Sequence, residues 1–316
     1  MALLLNEKQV RRLAPMSDLI DAMEGALAAY SSGTAMQPVR TVVDVGPDKN
    51  FFGVMPAYVG GASPSLGAKL VTFFVSNTAR KLPTHFATVV LLDPETGALL
   101  AILDGRYLTE ARTSAVSAVS ARFLARADSK RLAVIGSGVQ AHSHVEALRH
   151  VFDFETVTAW SPTQAKLEEF CLANGATASA SVEEAVADAD LIAVVSAARE
   201  PVLMSDWVRP GTHIMAVGAC RANHRELDGK LVARARVIVD SRAGALREAG
   251  DILIPISEGL IDVNHIEAEL GEKPRRKSAE EITIFKSLGM AVEDVVAAKL
   301  VYDRAKEEGT GVEFDF

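Results

Sequence analysis

Apolar positions keep one period in the first part of the chain and another after Lys130. Over residues 7–31 apolar side chains recur every three or four positions, which predicts a helix. Residues 41–45, 68–75, 87–92 and 98–103 are short apolar or alternating runs bounded by turn residues, which predicts strands. The last two flank Asp93-Pro-Glu-Thr-Gly97 and read as a β-hairpin. Residues 109–125, rich in Ala and Ser with Arg112 near the start, predict a long helix suited to close packing. The uncharged stretch 51–68 holds Gly53, Pro56, Gly60, Gly61, Pro64 and Gly67, so it reads as a loop-rich segment rather than a membrane span.

From Lys130 onward apolar strands at 131–135, 156–160, 191–195, 213–217 and 237–240 alternate with helical stretches at 141–150, 163–174 and 182–187. That alternation predicts a parallel α/β sheet. A last helix is expected over 284–306, and Lys273-Pro-Arg-Arg-Lys277 reads as a solvated basic loop. The fold class expected is α/β, with a Rossmann-type parallel sheet domain following a separate N-terminal α/β domain. The length of 316 residues fits two domains of roughly 150 residues each.

Charge narrows the partners. The 33 basic and 41 acidic residues give a net charge of −8, so no broad basic surface is expected for nucleic acid or for anionic membranes. Two cysteines, Cys171 and Cys220, fit a reducing compartment better than a disulfide scaffold. The Met1-Ala-Leu-Leu-Leu5 run meets Asn6, Glu7 and Lys8 too soon to form a signal segment, so a cytoplasmic protein is expected.

The run Leu132-Ala-Val-Ile135 leads directly into Gly136-Ser-Gly138-Val-Gln-Ala141 and then a helix. This is GxGxxA where it has a mechanism: a tight turn, close backbone approach, a small residue for helix packing, and N–H groups facing a pyrophosphate. Sites that prefer NAD place an acid about 20 residues on, but here the second strand ends Trp160-Ser161-Pro162-Thr163. With Ser161 and Thr163 as donors and no carboxylate to repel a 2′-phosphate, NADP(H) is favoured over NAD(H). Four further basic residues, Arg40, Lys69, His85 and Arg112, lie in apolar surroundings and need partners. A substrate carboxylate or an internal ion pair would serve. The histidines at 142, 144 and 150 fall on one helix without metal-ligand spacing, so no metal is expected.

Several ordered blocks together carry a resemblance. They are Phe52-Gly-Val-Met-Pro-Ala-Tyr58, Lys69-Leu-Val-Thr72, the glycine loop, Val217-Gly-Ala219, Arg225-Glu-Leu-Asp228 and Phe285-Lys-Ser-Leu-Gly-Met-Ala-Val-Glu-Asp294. The chain resembles the ornithine cyclodeaminase/mu-crystallin family over nearly its whole length, and more its NADPH-dependent ketimine reductases than its cyclodeaminases. The resemblance implies a homodimer with an N-terminal substrate and dimerisation domain over 1–118, rejoined by the C-terminal segment 292–316. A Rossmann domain over 119–291 would face it across a cleft. By motif, Arg40, Lys69 and Arg112 hold the substrate carboxylate, with Lys69 beside the reacting nitrogen as the catalytic candidate. Gly136, Ser137, Gly138, Val139 and Gln140 match the pyrophosphate loop. Val195, Ser196 and Val217 line the nucleotide side, and Ser287, Leu288 and Gly289 match the segment beside the nicotinamide.

Cyclodeaminases of the family place carboxylates where this chain has Gly53 and Cys220. Their loss favours simple reduction of a ketimine such as pyrroline-2-carboxylate or piperideine-2-carboxylate. Ornithine cyclodeamination with NAD, alanine dehydrogenation and a non-catalytic NADPH-binding role are the alternatives. Cys220 has no base beside it in sequence and is not read as a nucleophile.

Overall fold

The computed structural model describes residues 1–46 and 50–315. Strand β1 (Ala2–Leu5) ends at Asn6, whose side chain accepts from Gln9 N at 3.1 Å while Gln9 accepts from Asn6 N at 3.0 Å. This reciprocal cap starts α1 (Glu7–Leu13). The single helix expected over 7–31 is two helices, because Pro15 cannot continue α1 and instead opens α2 (Met16–Ser31). Leu19, Ile20, Met23 and Leu27 form the buried stripe of α2.

Strands β2 (Ala35–Met36), β3 (Thr41–Val45), β4 (Asn50–Val59), β5 (Ser65–Phe73), β6 (His85–Leu92) and β7 (Leu99–Asp104) follow. The loop-rich reading of 51–68 is corrected here: β4 and β5 pair antiparallel from Phe51 opposite Phe73 to Val59 opposite Ser65. Its glycines and prolines do not break the ladder. Gly60 and Gly61, the latter at φ 97°, fall in the connection, while Gly67 admits the Val90 carbonyl where a Cβ would stand. The β6–β7 hairpin closes over Asp93–Gly97 as expected, with Asp93 N bonded to Ala98 O.

Helix α3 (Arg106–Leu124) follows, buried from Ala111 to Ala121. Two compact units divide inside it: Met1–Thr113 with Met290–Phe316, and Ser114–Gly289. In the second unit come β8 (Arg131–Ile135), α4 (Val139–Arg149), β9 (Thr156–Trp160), α5 (Gln164–Asn174), β10 (Thr177–Ala178), α6 (Val182–Val186), β11 (Leu191–Val194) and β12 (His213–Ala216). Then come α7 (Gly229–Arg234), β13 (Arg236–Val239), α8 (Arg242–Glu248), α9 (Gly250–Ser257), β14 (Ile266–Glu269) and β15 (Thr283–Lys286). These strands form one parallel sheet in the order β10-β9-β8-β11-β12-β15-β13-β14. The order reverses at β8, so the carboxyl ends of β8 and β11 form the switch point where such sheets bind ligands.

Two expectations fail in this unit. Residues 284–306 are not one helix, because 283–286 is β15, a central strand between β12 and β13. Its two apolar residues, Ile284 and Phe285, are too few to show the period of a strand or of a helix. The stretch 273–277 is not wholly solvated either: Arg276 is half-buried and donates to the carbonyls of Leu124 (2.7 Å), Gly211 (2.9 Å), Ser278 (3.0 Å) and Glu281 (2.8 Å). Its guanidinium ties three segments of backbone. Other helix and strand limits fall within three residues of those expected.

Helix α10 (Ala291–Glu308) and strand β16 (Val312–Phe314) belong to the first unit, whose sheet runs β16-β1-β7-β6-β5-β4-β2 with β3 also on β4. Helix α10 packs across β4, β5 and β6, and the strand residues on that face are buried. Gly67→Ala should place a methyl against the Val90 carbonyl and lower the unfolding free energy by about 1–3 kcal/mol. Chemical denaturation measures it, and an unchanged midpoint would contradict the close approach of β5 to β6.

Candidate active site

In the first unit Lys69 lies at the middle of β5, on the face that α10 covers, with only 2% of its surface exposed. Its neighbours on this face are Val89 and Met55, and one step along the sheet Gly53 stands opposite Val71. An unpaired ammonium here would be costly, and α10 supplies its partner. Lys69 Nζ is 2.6 Å from Asp294 Oδ2. Arg112, in the second turn of α3 and 4% exposed, donates from Nε to Asp294 Oδ1 at 3.0 Å and from Nη1 to Glu293 Oε2 at 2.5 Å. Both carboxylates are fully buried in the first turn of α10, where the helix dipole favours negative charge. Glu293 also accepts from Met290 N, so the residue that holds Arg112 caps the helix.

The cluster tunes its members. Burial pushes the Lys69 ammonium down to about 8, against the pull of Asp294, with Arg112 and Arg40 lowering it further. Burial raises Asp294, but Arg112 and Lys69 outweigh it and hold the carboxyl below its ordinary range. His85, on the same sheet face, is pushed down to about 4 by burial and by Lys69 and Arg112, so it is neutral at physiological pH. Arg40, Lys69, His85 and Arg112 are therefore brought together. The partners demanded by Lys69 and Arg112 are found within the protein, in Asp294 and Glu293, and both cations are fixed in place by them.

The second unit holds the glycine turn. Gly136 has φ 134°, and a Cβ there would lie 2.7 Å from the Val195 carbonyl, so only glycine passes close beneath the end of β11. Gly136 N bonds to Trp160 O at 2.9 Å, and Ser137 Oγ donates to Ser161 Oγ at 2.8 Å, joining the turn to the end of β9. Gly138 caps α4 with open space where a Cβ would project, Val139 is exposed, and Gln140 has a buried Oε1 without a hydrogen-bond partner. An open glycine surface at a helix start fits a dinucleotide. Thr163, the residue before α5, is exposed and makes no capping bond of its own.

Other expected cofactor residues are engaged within the fold. Ser287, Leu288 and Gly289 are buried, and Asp240 Oδ2 accepts from Leu288 N (2.6 Å), Gly289 N (2.8 Å) and the Ser287 hydroxyl (3.5 Å). This carboxylate fixes the course of the segment, and Ser287 and the two amides are spent on it. Ser196 is bound to Glu226, and Val217 N to Val194 O at 2.9 Å. Cys220 is exposed and donates its thiol to Val217 O at 3.4 Å, and the Lys286 ammonium stands near it in space. His144 and His213 are core groups whose Nε2 atoms lie 2.9 and 3.1 Å from the Ser117 and Ser120 hydroxyls of α3. Among the described residues no three His, Cys, Asp or Glu side chains are grouped to hold a metal ion. Among the described residues no helix is long and apolar enough to cross a membrane.

Sequence reasoning missed the carboxylates: Glu293 and Asp294 for the cation cluster, and Asp240, Glu226 and Asp251 beneath the strand ends. The available signal was the one that marked Lys69, a charge inside an apolar run, here Met290-Ala-Val-Glu-Asp-Val-Val296.

Parallel sheet, switch-point turn and a buried cation–carboxylate cluster define a two-unit, dinucleotide-binding α/β protein. The model of the ornithine cyclodeaminase/mu-crystallin family matches residues 2–309, and the chain belongs to that family. It is 46% identical over 296 residues to the ketimine reductase mu-crystallin of Rattus norvegicus, covering 92% of this chain and 93% of that protein. The Thermococcus litoralis Δ1-pyrroline-2-carboxylate reductase, solved with NADH and L-proline, superposes with a TM-score of 0.94 at 38% identity, over 99% of this chain and 100% of that one. An archaeal alanine dehydrogenase dimer with bound NAD gives 0.94 at 35% identity, over 100% and 99%.

Arg112→Met should leave Glu293 and Asp294 buried without their guanidinium and cost about 3–5 kcal/mol of stability. Urea denaturation measures it, and an unchanged midpoint would contradict the pairing. Because the folded Asp294 titrates below its unfolded value, its contribution is present above the ordinary carboxylate range and is lost as the pH falls through the folded value.

Proposed function

We propose that this chain reduces ketimines derived from amino acids, such as pyrroline-2-carboxylate or piperideine-2-carboxylate, with NAD(P)H. The observation that carries the reading is Lys69, buried and paired with Asp294 beside Arg112, on a sheet face that carries Gly53 where cyclodeaminases have a carboxylate. A bound nicotinamide supplies the hydride for the C=N carbon. Arg40 and Arg112 hold the substrate carboxylate, since a guanidinium matches its two oxygens. Lys69, the catalytic residue, is protonated at neutral pH and hands its proton to the imine nitrogen, while Asp294 keeps the ammonium charged and in place.

Gly136, Ser137, Gly138, Val139 and Gln140 cradle the pyrophosphate, with Val195, Ser196, Val217, Ser287, Leu288 and Gly289 lining the nucleotide. Ser161 and Thr163 take the 2′ end, and the lack of an acid at the end of β9 favours NADP(H). A cytoplasmic homodimer completes the reading. The sheet face of the first unit opposite α10 carries Val54, Tyr58, Leu66, Leu70, Val90 and Leu92, an apolar surface only partly covered within one chain. A second copy would cover it.

Optical assay of NADPH and NADH with both cyclic imino acids tests the function. Consumption of reduced cofactor is expected, with no ammonia from ornithine. Sustained conversion of ornithine to proline with one ammonia per turnover would overturn the reading. NADPH should bind more tightly than NADH, and Ser161→Asp should weaken NADPH through repulsion of the 2′-phosphate. Equal affinities in the unaltered protein, followed by nicotinamide fluorescence, would contradict the cofactor preference.

A further inference from the structure

Glu226 takes no part in that chemistry, yet it is fully buried at the carboxyl end of the parallel sheet. Its Oε1 accepts from Ser196 N at 2.8 Å and from the Ser196 hydroxyl at 2.7 Å, just beyond β11. Its Oε2 accepts from Gly218 N at 2.6 Å and Ala219 N at 3.0 Å, just beyond β12. One carboxylate thus satisfies four donors from two adjacent strand ends. A Cβ on Gly218 would collide with the Ser196 carbonyl and with Glu226 itself, so the two ends are drawn close.

The support beneath it is ionic. Asp251, on α9, accepts through Oδ1 from Glu226 N (2.7 Å) and Leu227 N (2.9 Å). Lys286, on β15, bridges Asp251 Oδ2 at 2.9 Å and the Ala219 carbonyl at 2.6 Å. Lys286 and Asp251 face Glu226 from the surrounding elements, and Cys220 lies beyond Lys286. On its own segment Arg225 is paired with Glu258.

We propose that Glu226 is a positioning residue that clamps the ends of β11 and β12 against the nucleotide, and that its protonation releases the clamp and weakens dinucleotide binding. This rests on the reading of these strand ends as the nucleotide site. A protonated carboxyl carries an O–H that must donate, and both partners of Oε2 are N–H groups. The proton therefore has only the Ser196 hydroxyl to go to, which reverses that hydrogen bond and weakens the acceptor for Ser196 N. Burial pushes Glu226 up to about 7, reinforced by Asp251 and opposed by Lys286 and the Ser196 donors, so the change falls near neutral pH. If only the carboxylate form binds, the apparent Kd is the intrinsic value divided by the fraction of that form, about tenfold weaker at pH 6 than at pH 8.

Folding stability moves the other way. The folded pKa lies above the unfolded one, so this group's contribution is fully present below the unfolded value and is lost as pH rises through the folded value. Weaker binding at pH 6 without a lower melting temperature therefore separates the clamp from general unfolding.

The test is titration of the protein with NADH and NADPH by nicotinamide fluorescence at pH 6, 7 and 8, unaltered and as Glu226→Gln, with melting temperatures in the same buffers. NADH is the decisive probe because it has no 2′-phosphate to titrate. An NADH Kd about tenfold weaker at pH 6 than at pH 8, with weak and pH-independent binding by Glu226→Gln, is expected. An NADH affinity that does not change with pH overturns the inference, as does Glu226→Gln binding like the unaltered protein. Should that variant fail to fold, the pH series on the unaltered protein decides alone. Absence of NADH and NADPH binding at every pH overturns the nucleotide reading and this inference with it, whereas tight, pH-independent binding overturns this inference only.

Discussion

A single buried carboxylate, Asp294, stands between two buried cations, Lys69 and Arg112, and the burial of both depends on it. Lys69 and Arg112 come from a strand and a helix that have no reason of their own to place positive charges in an apolar layer. Asp294 at 2.6 and 3.0 Å makes their burial tolerable, and Glu293 accepts from Nη1 of Arg112. The cost of burying such a set is substantial and is recovered only when every charge has its partner. Its consequence is an ammonium whose proton is loosened by burial but kept in place by its counter-ion.

The second unit uses the same device for a different end. Its glycine turn is a matter of sterics, with Gly136 passing under the Val195 carbonyl. The segments around the turn are held by acids below the strand ends: Asp240 takes the amides of 288 and 289, and Glu226 takes those of 196, 218 and 219. The segments beyond these strands are thereby given fixed courses. Buried carboxylates are the common structural theme, acting in one unit on side-chain cations and in the other on backbone amides.

Local features were legible in the sequence. The strand–turn–helix around Gly136 follows from contiguous residues, and Lys69 stood out as a charge in an apolar strand. What required the fold was distance along the chain, since Arg112 and Asp294 are 182 positions apart and no local pattern joins them. Strand β15 was hidden because its four buried residues hold only two apolar ones, Ile284 and Phe285, too few to show a period that separates helix from strand. The β4–β5 hairpin was hidden because Gly67 signals a close neighbour and looks the same as a break. Arg276 shows the converse case, a basic residue in a polar loop whose partners include the carbonyls of the remote Leu124 and Gly211.

The pH dependence of imine reduction by Asp294→Asn beside the unaltered protein tests the central claim most directly, with kcat/KM for one cyclic imino acid followed through the alkaline limb. Lys69 as proton donor predicts a fall in rate above about pH 8 in the unaltered protein. Removing the charge of Asp294 takes away the pull that keeps the ammonium protonated, so the limb should move to lower pH in the variant. Using the same substrate for both cancels the titration of the imine itself. An alkaline limb at the same pH in both proteins would contradict the account.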